Sequence, residues 1–445
     1  MISKRSFFLI LYFLLPVLLI AAIFSSDPGY YGSSGFVPMI LGATAYTLLN
    51  LQLILSARPK LIEQYFGLDR IYRFHSLAAI VTIVAAFIHK LLEGGIFPES
   101  FQTRLGDLAI GIFIFGAVLS LIFMADTLTR HFKPVRLIRK YFSTWKFTGY
   151  NVQLALHNVN VAAVVLIFIH VMLSYSAQNV LVRSLYILYF GAAVAFYLYH
   201  KIIRRYFLSK RFTVEDVIHE SDSMTTLVLR PETGSVFHYL PGQFGFLRLQ
   251  DRSVSQEEHP FSFSSQPLNR ESLTVTVKNL GDWTAGVQAV GKGSKALLDA
   301  PYGRFSPVLY QCNKGMVLIA GGVGITPILS ILRYYFEVDK EQKIILFWGA
   351  NQRKELICPD EFSAFQKEMK NFIFVPVLAN DPDFMGEKGY ITKDLIQRKM
   401  EESGLKSSEP HFFFCGPAPM WTSVRGSLKA MKIERRMIHY ENFSL

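Results

Sequence analysis

Four histidines lie inside two long apolar segments of this 445-residue chain, in two pairs with nearly equal spacing. His75 and His89 follow an H-x13-H pattern in one segment, and His157 and His170 follow an H-x12-H pattern in the other. Ionisable side chains are costly in a lipid bilayer and are usually functional there. At a helical rise of about 1.5 Å per residue, the members of each pair lie roughly 20 Å apart along the axis. Two such helices side by side would hold two pairs of ligands, one near each membrane face.

This arrangement is the one that bis-histidine coordination of two stacked haems requires. The alternative is that each histidine hydrogen-bonds a neighbouring helix, and the matched pairs favour haem over it. The two spacings are not equivalent on an ideal helix, because fourteen steps of about 100° fall about 40° short of whole turns whereas thirteen miss by about 140°. Tilt, rotamer choice or a local irregularity must therefore bring His157 and His170 onto a common face.

The composition separates an apolar part of the chain from a soluble part. With 51% hydrophobic residues and a mean hydropathy of +0.28, the chain is too apolar for an ordinary soluble protein. The first apolar run resembles a signal peptide, but its length and the absence of an A-x-A-like site favour a retained helix. Six runs are long enough to cross a bilayer, at about 7–24, 36–56, 70–91, 106–126, 151–174 and 181–203.

The net charge of +12 reflects basic residues at the ends of the apolar runs, which indicates an orientation signal rather than nucleic-acid binding. Twelve Lys and Arg residues flank the predicted spans on one side and two on the other. The positive-inside rule therefore predicts an integral membrane protein whose N-terminus and soluble part are cytoplasmic. His75 and His157 would then lie near the inner face, and His89 and His170 near the outer face. The three cysteines suggest no disulfide framework and fit a reducing compartment.

The soluble part changes pattern along its length. Short alternating strands separated by turn residues predict a small antiparallel barrel, and from residue 315 strands alternate with a helix in the order of a doubly wound parallel sheet. We therefore place the domain boundaries at 1–206, 207–308 and 309–445.

A glycine-rich turn follows the first strand of the predicted parallel sheet. Gly321, Gly322 and Gly324 would let the backbone approach a pyrophosphate, Thr326 can cap the next helix, and Pro327 fits its first turn. A glycine-rich turn alone is weak evidence, because many such turns only reverse the chain. The strand–turn–helix context favours nucleotide binding.

Taken together, the histidine pairs and a series of short motifs resemble the ferric reductase and NADPH oxidase superfamily over nearly the full length. The motifs are HPFSFSS (259–265), GDWT (281–284), PYG (301–303), GGVGITP (321–327), CGP (415–417) and HYENF (439–443). The chain looks most like a compact prokaryotic NADPH oxidase of the cytoplasmic membrane, with no regulatory extension and no obligatory protein partner. The resemblance implies a six-helix transmembrane haem bundle, an antiparallel β-barrel FAD domain and a doubly wound α/β nucleotide-binding domain.

The resemblance also assigns a flavin site. Phe261 would pack on the isoalloxazine, Ser262 would hydrogen-bond near its reactive nitrogen, and His259 would approach the FAD phosphates. The alternative is an ordinary barrel strand with alternating side chains. The full set of implied FAD-binding residues is His259, Pro260, Phe261, Ser262, Ser264, Ser265 and Lys278.

By the same resemblance, Cys415, Gly416 and Pro417 line a nicotinamide pocket, although Cys415 could be only a buried structural residue. Phe443 resembles an aromatic residue that stacks on the flavin and moves to admit nicotinamide. Arg353, together with Lys354, follows the second strand of the parallel sheet, where a 2′-phosphate would lie. These two residues favour NADPH over NADH, with a solvated basic turn as the alternative.

The implied activity carries electrons from cytoplasmic NADPH through FAD, then through haems at His75–His157 and His89–His170, to an external acceptor. The first candidate for the acceptor is O2, which would give superoxide. Glu93 occupies a position where similar oxidases have a histidine, so a ferric chelate is an alternative acceptor. A membrane-anchored flavin reductase whose histidines bind no haem is a third possibility.

Overall fold

The computed structural model describes residues 4–31, 35–93, 100–123, 134, 137, 141, 150–406 and 408–441. The chain divides into two compact units, Met1–Ile203 and Arg204–Leu445. We call them the membrane unit and the reductase unit. The division falls close to the first boundary predicted from sequence, at residue 206.

The membrane unit is helical. Its helices are α1 (Lys4–Ser26), α2 (Pro28–Tyr31), α3 (Phe36–Ser56), α4 (Lys60–Phe66), α5 (Leu68–Glu93), α6 (Phe101–Phe123), α7 (Tyr150–Asn158), α8 (Asn160–Met172) and α9 (Val180–Leu198). Within the described residues, six helical stretches are long and apolar enough to cross a membrane. They are Lys4–Ser26, Phe36–Ser56, Leu68–Glu93, Phe101–Ser120, Leu154–Met172 and Val180–Arg204. The six spans predicted from hydropathy are therefore present as helices.

The fifth span is irregular rather than a single regular helix. It consists of α7 and α8, which meet at Val159. There the backbone tightens, because Val159 N–H donates to Leu156 O at 3.2 Å and Ala162 N–H donates to Val159 O at 2.9 Å, both bonds spanning three residues. Such a turn advances about 120° per residue instead of 100°. The extra rotation reduces the mismatch between His157 and His170, so a local irregularity is part of the answer to their unequal spacing.

The second span, α3, is the most enclosed of the six, with 61% of its apolar window buried. On one side it packs against α1 and α9 through residues that include Leu19, Tyr46 and Tyr186. The Tyr46 hydroxyl donates to the Tyr186 carbonyl at 2.6 Å. Helix α3 also packs along α5, the helix that carries His75 and His89. A buried central helix can therefore fix the rotation of the histidine-bearing helix beside it.

The reductase unit begins with an antiparallel sheet of strand order β4-β3-β6-β1-β2-β5. Its inward side chains, among them Phe212, Leu247, Phe263 and Val275, form one apolar core that includes Trp283. The short helix α10 (Asp282–Gly286) closes this core. The strands are β1 (Lys210–Ser221), β2 (Met224–Pro231), β3 (Phe244–Gln250), β4 (His259–Ser262), β5 (Leu273–Lys278) and β6 (Lys295–Tyr302).

The second sheet is parallel, with strand order β10-β9-β8-β7-β11-β12. Every residue of β7 is buried, as expected for a parallel strand covered by helices on both faces. The strands are β7 (Met316–Gly321), β8 (Ile344–Ala350), β9 (Phe372–Leu378), β10 (Glu387–Lys388), β11 (His411–Cys415) and β12 (Ile438–Glu441). The helices are α11 (Ile325–Val338), α12 (Pro359–Glu368), α13 (Lys393–Glu402) and α14 (Ala418–Ala430). The predicted fold class, six apolar helices followed by an antiparallel and then a parallel sheet, is confirmed.

Candidate functional site: histidine pairs and flavin and nucleotide motifs

The structure brings His75 and His157 together, with their ring centroids 6.3 Å apart and their planes inclined by 63°. The Nδ1 of His157 lies 3.0 Å from the Ser120 hydroxyl, which itself donates to the Gly116 carbonyl at 2.8 Å. Since the only proton of that hydroxyl is used, Nδ1–H of His157 must be the donor to Ser120. The Nε2 of His157 is then unprotonated and has a lone pair available for a metal.

His89 and His170, the pair predicted to lie near the outer face, are hydrogen-bonded to main-chain carbonyls. The Nδ1 of His89 lies 2.9 Å from Pro38 O, and the Nδ1 of His170 lies 2.8 Å from Gln102 O. A carbonyl oxygen only accepts, so both Nδ1 atoms carry a proton, and in the neutral ring each Nε2 keeps a lone pair.

A glycine lies one helical turn beyond each of these carbonyls. A Cβ atom at Gly42 would meet Cε1 of His89 at 2.9 Å, and one at Gly106 would meet Nδ1 of His170 at 3.0 Å. Both rings therefore lie against a neighbouring helix at a position where only glycine leaves room for them. The same arrangement occurs at both histidines: a helix supplies a carbonyl at position i that accepts the ring N–H, and a glycine at i+4 that leaves space for the ring.

These features fit a bis-imidazole iron group. Histidine ligands usually donate their second ring N–H to a carbonyl or another acceptor, which fixes the tautomer and the ring orientation. With metal–nitrogen bonds of about 2 Å, two imidazoles on opposite sides of a metal have centroids roughly 6 Å apart, close to the separation of His75 and His157. No group of three or more His, Cys, Asp or Glu side chains suited to a metal occurs among the described residues.

Glu93 lies at the outer pair. Its carboxylate is 3.5 Å from Nε2 of His89, the atom that would coordinate iron. A haem bound there would require this carboxylate to turn away, and Glu93 is sufficiently exposed for that movement, with 37% of its side chain accessible.

In the reductase unit, the predicted flavin motif forms strand β4. Ser262 is 5% exposed, and its hydroxyl has no hydrogen-bond partner in the described part of the chain. A buried unpaired hydroxyl costs about 1–3 kcal/mol, which a ligand with a suitable polar atom would recover. Phe261 is half-buried and stacks on Trp283 with centroids 5.5 Å apart. The strand therefore presents one apolar ring and one unsatisfied hydroxyl, which fits a flat heteroaromatic cofactor.

His259 precedes Pro260 at the start of the same strand. Its ring lies against Trp283 at 4.3 Å, and its Nε2 is 3.3 Å from the Glu257 carboxylate. Burial lowers the pKa of His259, and the Glu257 carboxylate opposes that shift only in part. Trp283 is itself buried and donates from Nε1 to Ser255 O at 2.8 Å, so it belongs to the barrel core.

Ser264 and Ser265 differ from Ser262, because their hydroxyls are already bonded within the protein. The Ser264 hydroxyl lies 2.9 Å from that of Thr274, and the Ser265 hydroxyl lies 2.9 Å from that of Tyr239. Their carbonyls accept from α11, Ser264 O from Arg333 at 2.6 Å and Ser265 O from Ser330 at 2.7 Å. Through these hydrogen bonds the two serines connect the segment that follows β4 to β5, to Tyr239 and to α11.

The glycine-rich turn packs against the turn that follows β11. A Cβ atom at Gly324 would overlap the Cys415 carbonyl, one at Gly321 would meet Pro417 Cδ at 2.9 Å, and one at Gly416 would lie 3.1 Å from Gly321 Cα. The two predicted nucleotide motifs are thus adjacent because their glycines allow the chains to touch. Cys415 is 1% exposed, and its carbonyl forms part of this contact.

Gly322, in the same turn, lies near Lys278. It has a φ of +52°, and a Cβ built there would lie 3.7 Å from the ammonium of Lys278. Lys278 is also 3.5 Å from the Glu355 carboxylate. A cation beside a glycine turn suits an anionic ligand such as a pyrophosphate.

The prediction that Thr326 caps the following helix is wrong. The cap position is Gly324, and Thr326 lies inside the first turn of α11, where its hydroxyl donates to Val323 O at 3.0 Å. The turn tightens into a 3₁₀ segment, Gly322–Gly324, before the helix begins, and this moves the start of the helix towards the strand. Pro327 falls in the first turn, as predicted.

Arg353 follows β8 and is exposed, with its guanidinium 5.5 Å from the centre of the Phe384 ring and 3.8 Å from the Asp381 carboxylate. Lys354 pairs instead with Asp222 at 3.3 Å. Phe443 lies outside the described residues. Strand β12 runs parallel to β11 and ends at Glu441, two residues before Phe443.

Sequence reasoning missed the residues that hold the histidines. Ser120 and Gln52, whose side-chain amide lies 2.5 Å from Nδ1 of His75, are polar residues inside apolar spans, and that signal could have identified them. Gly42 and Gly106 give no such signal, because glycine is common in membrane helices.

Three family models match successive parts of the chain. Residues 41–169 match the ferric reductase like transmembrane component, residues 207–319 match an FAD-binding domain, and residues 318–426 match an oxidoreductase NAD-binding domain. The chain has the domain organisation of the ferric reductase and NADPH oxidase superfamily. The superfamily expected from the sequence is therefore confirmed.

Curated relatives match part of the chain. The xylene/toluene monooxygenase electron transfer component XylA of Pseudomonas putida is 28% identical over 46% of this chain and 57% of its own length. A flavohemoprotein of Rhizobium meliloti is 28% identical over 53% of this chain and 60% of its own length. The chain thus spans only about 57 to 60% of the length of these two relatives. Among solved structures, a flavohemoglobin from Malassezia yamatoensis aligns with a TM-score of 0.48 at 16% identity, covering 94% of this chain and 98% of that one.

Proposed function

We propose that this protein is a transmembrane NAD(P)H oxidoreductase that transfers electrons from NADPH on the cytoplasmic side, by way of FAD and two b-type haems, to an acceptor outside. The flavin would convert a hydride donor into single-electron steps and the haems would carry those electrons across the bilayer. The observation that carries the proposal is the pairing of His75 with His157, ring to ring, within a chain whose next domains match FAD- and NAD-binding models.

The protein's own residues would bind and orient. His75 with His157, and His89 with His170, would coordinate the two irons through Nε2, with Nδ1–H held by the protein. Ser262 would donate its hydroxyl proton to the flavin ring beside Phe261. The turns at Gly321–Gly324 and Cys415–Pro417 would receive the nucleotide, with Lys278 near its phosphates and Arg353 near the 2′-phosphate. No side chain needs to act as a nucleophile.

We propose O2 as the acceptor, with superoxide as the product. A ferric chelate is the second candidate, and Glu93 favours it. Its carboxylate lies beside His89 at the outer end of α5, where a negative charge would attract a metal cation.

Purified protein supplied with NADPH, FAD and haem provides the test. A low-spin bis-histidine haem spectrum is expected, together with cytochrome c reduction that superoxide dismutase suppresses. Rapid reduction of a ferric chelate in air without a dismutase-sensitive signal would replace O2 by the chelate. Flavin reduction by NADPH with no bis-histidine spectrum would leave a membrane-anchored flavin reductase.

A further inference from the structure

The inner histidines are held by side chains, whereas the outer histidines are held by main-chain carbonyls. Ser120 receives Nδ1–H of His157, and the amide of Gln52 lies 2.5 Å from Nδ1 of His75. Gln52 is 6% exposed and lies on α3, the central helix of the membrane unit. The difference makes the inner site adjustable by substitution, because a side-chain acceptor can be exchanged and a backbone carbonyl cannot.

The Gln52 amide can meet His75 in two orientations with opposite consequences. When its nitrogen faces the ring, it donates to Nδ1 at 2.5 Å and to His75 O at 3.3 Å, and its oxygen accepts from Ala79 N–H at 3.2 Å. The ring proton is then on Nε2, and that nitrogen cannot bind iron. When the amide oxygen faces the ring, it accepts Nδ1–H and leaves the lone pair on Nε2.

We infer that Gln52 is a positioning residue for the inner iron, and that its amide oxygen must face His75 when that histidine is a ligand. This inference rests on the proposed function. The orientation with the nitrogen towards the ring satisfies the local polar groups without a metal. The other orientation sets the tautomer that a metal requires, so ligand binding and amide rotation are coupled.

A consequence for the redox potential follows. Hydrogen bonding to the second nitrogen of a ligating imidazole raises its basicity and tunes the metal. A stronger acceptor at position 52 should stabilise the oxidised iron and lower its potential, and loss of the acceptor should raise it. Ser120 acts on His157 in the same sense.

The experiment is a redox titration of full-length, haem-loaded protein, followed by the absorbance of low-spin haem and by electron paramagnetic resonance of the oxidised form. Gln52→Leu should shift one component to higher potential or lose it, and Ser120→Ala should shift the same component in the same direction. Gln52→Glu, which keeps an oxygen acceptor, should retain the haem and shift that component to lower potential. The His89→Leu background, which removes an outer ligand, identifies the component as the inner one.

Thr47→Val is the matched control on α3, because the Thr47 hydroxyl donates to Ala43 O rather than to a histidine among the described residues. It should leave both components in place. Two haem components that neither Gln52→Leu nor Gln52→Glu moves, or a shift confined to the outer component, would overturn the inference. Absence of bis-histidine haem from the wild-type protein would instead overturn the proposed function.

Discussion

The membrane unit and the reductase unit differ in how the polar side chains of their candidate sites are hydrogen-bonded. In the membrane unit the rings of His89, His157 and His170 already have their Nδ1 atoms bonded to the protein. In the reductase unit the Ser262 hydroxyl has no partner among the described residues, and a ligand would complete it. A bilayer offers no water to satisfy a polar ring, so helices there must supply the partner themselves. A site formed between soluble domains can leave that bond to the cofactor.

The largest expected effect comes from removing a proposed outer ligand. His89→Leu should abolish reduction of an external acceptor by NADPH and leave flavin reduction unchanged, because the flavin motif belongs to the other unit. Stopped-flow bleaching of the flavin and acceptor reduction, measured on one sample, separate the two steps. The control is His238→Leu, which changes an exposed histidine that contacts Arg270 in the reductase unit. External reduction that survives in His89→Leu would contradict the assignment.

The next effect tests whether the glycines of the membrane unit are docking surfaces. Gly106→Val should push the His170 ring from its place, since even a Cβ there would lie 3.0 Å from Nδ1. Overpacking costs about 1–3 kcal/mol, so retention of the outer haem should fall about tenfold. Gly111→Val on the same helix is the control, because no described atom lies within 4 Å of a Cβ at that position. Equal haem content in the two variants would argue against the docking role.

The third prediction concerns the contrast between Ser262 and Ser264. Ser262→Ala should slow hydride transfer to the flavin about tenfold or more without lowering the melting temperature, because its hydroxyl has no partner to lose within the described chain. Ser264→Ala should lower the melting temperature without slowing hydride transfer. It removes hydrogen bonds to Thr274 and Thr276 that contribute about 1–2 kcal/mol to the free energy of unfolding. Rapid kinetics and thermal unfolding of both variants decide between the two roles, and identical behaviour would refute the contrast.

The smallest effect is expected at the exposed rim of the nucleotide site. Arg353→Ala should raise KM for NADPH about three- to tenfold and leave KM for NADH unchanged, because a solvent-screened guanidinium contributes modestly to binding a phosphate. Lys354→Ala should change neither value, since Lys354 is paired with Asp222. Steady-state kinetics with both nucleotides provide the measurement. A parallel loss with NADH would place Arg353 outside the 2′-phosphate site.

Much of the fold could be predicted from local patterns. The six spans follow from runs of apolar residues, and the change from alternating strands to a parallel sheet is visible between Lys278 and Met316. The cap of α11 could not be predicted reliably, because Thr326 and Gly324 both suit that position by residue type. In the structure Gly324 holds the cap position and packs on the Cys415 carbonyl.

The histidine spacing shows both the reach and the limit of sequence reasoning. It predicts that His157 and His170, on one helix, are both ligands. It also shows that the two side chains would be about 140° from a common face of an ideal helix. It could not show where the irregularity lies. The backbone tightens at Val159, and no residue type in this segment specifies that position.

By itself the sequence determined which segments enter the bilayer, the order of the two sheets and the position of the glycine turn, because hydrophobicity and backbone freedom are properties of short stretches. Only the tertiary structure decided which atoms hold the four histidines. Pro38 O and Gln102 O are backbone atoms, present at every residue, and the helices that carry them lie 51 and 68 residues from the rings they receive. Contacts of that kind depend on helix packing, and packing selects them by shape and hydrogen-bonding geometry rather than by residue type.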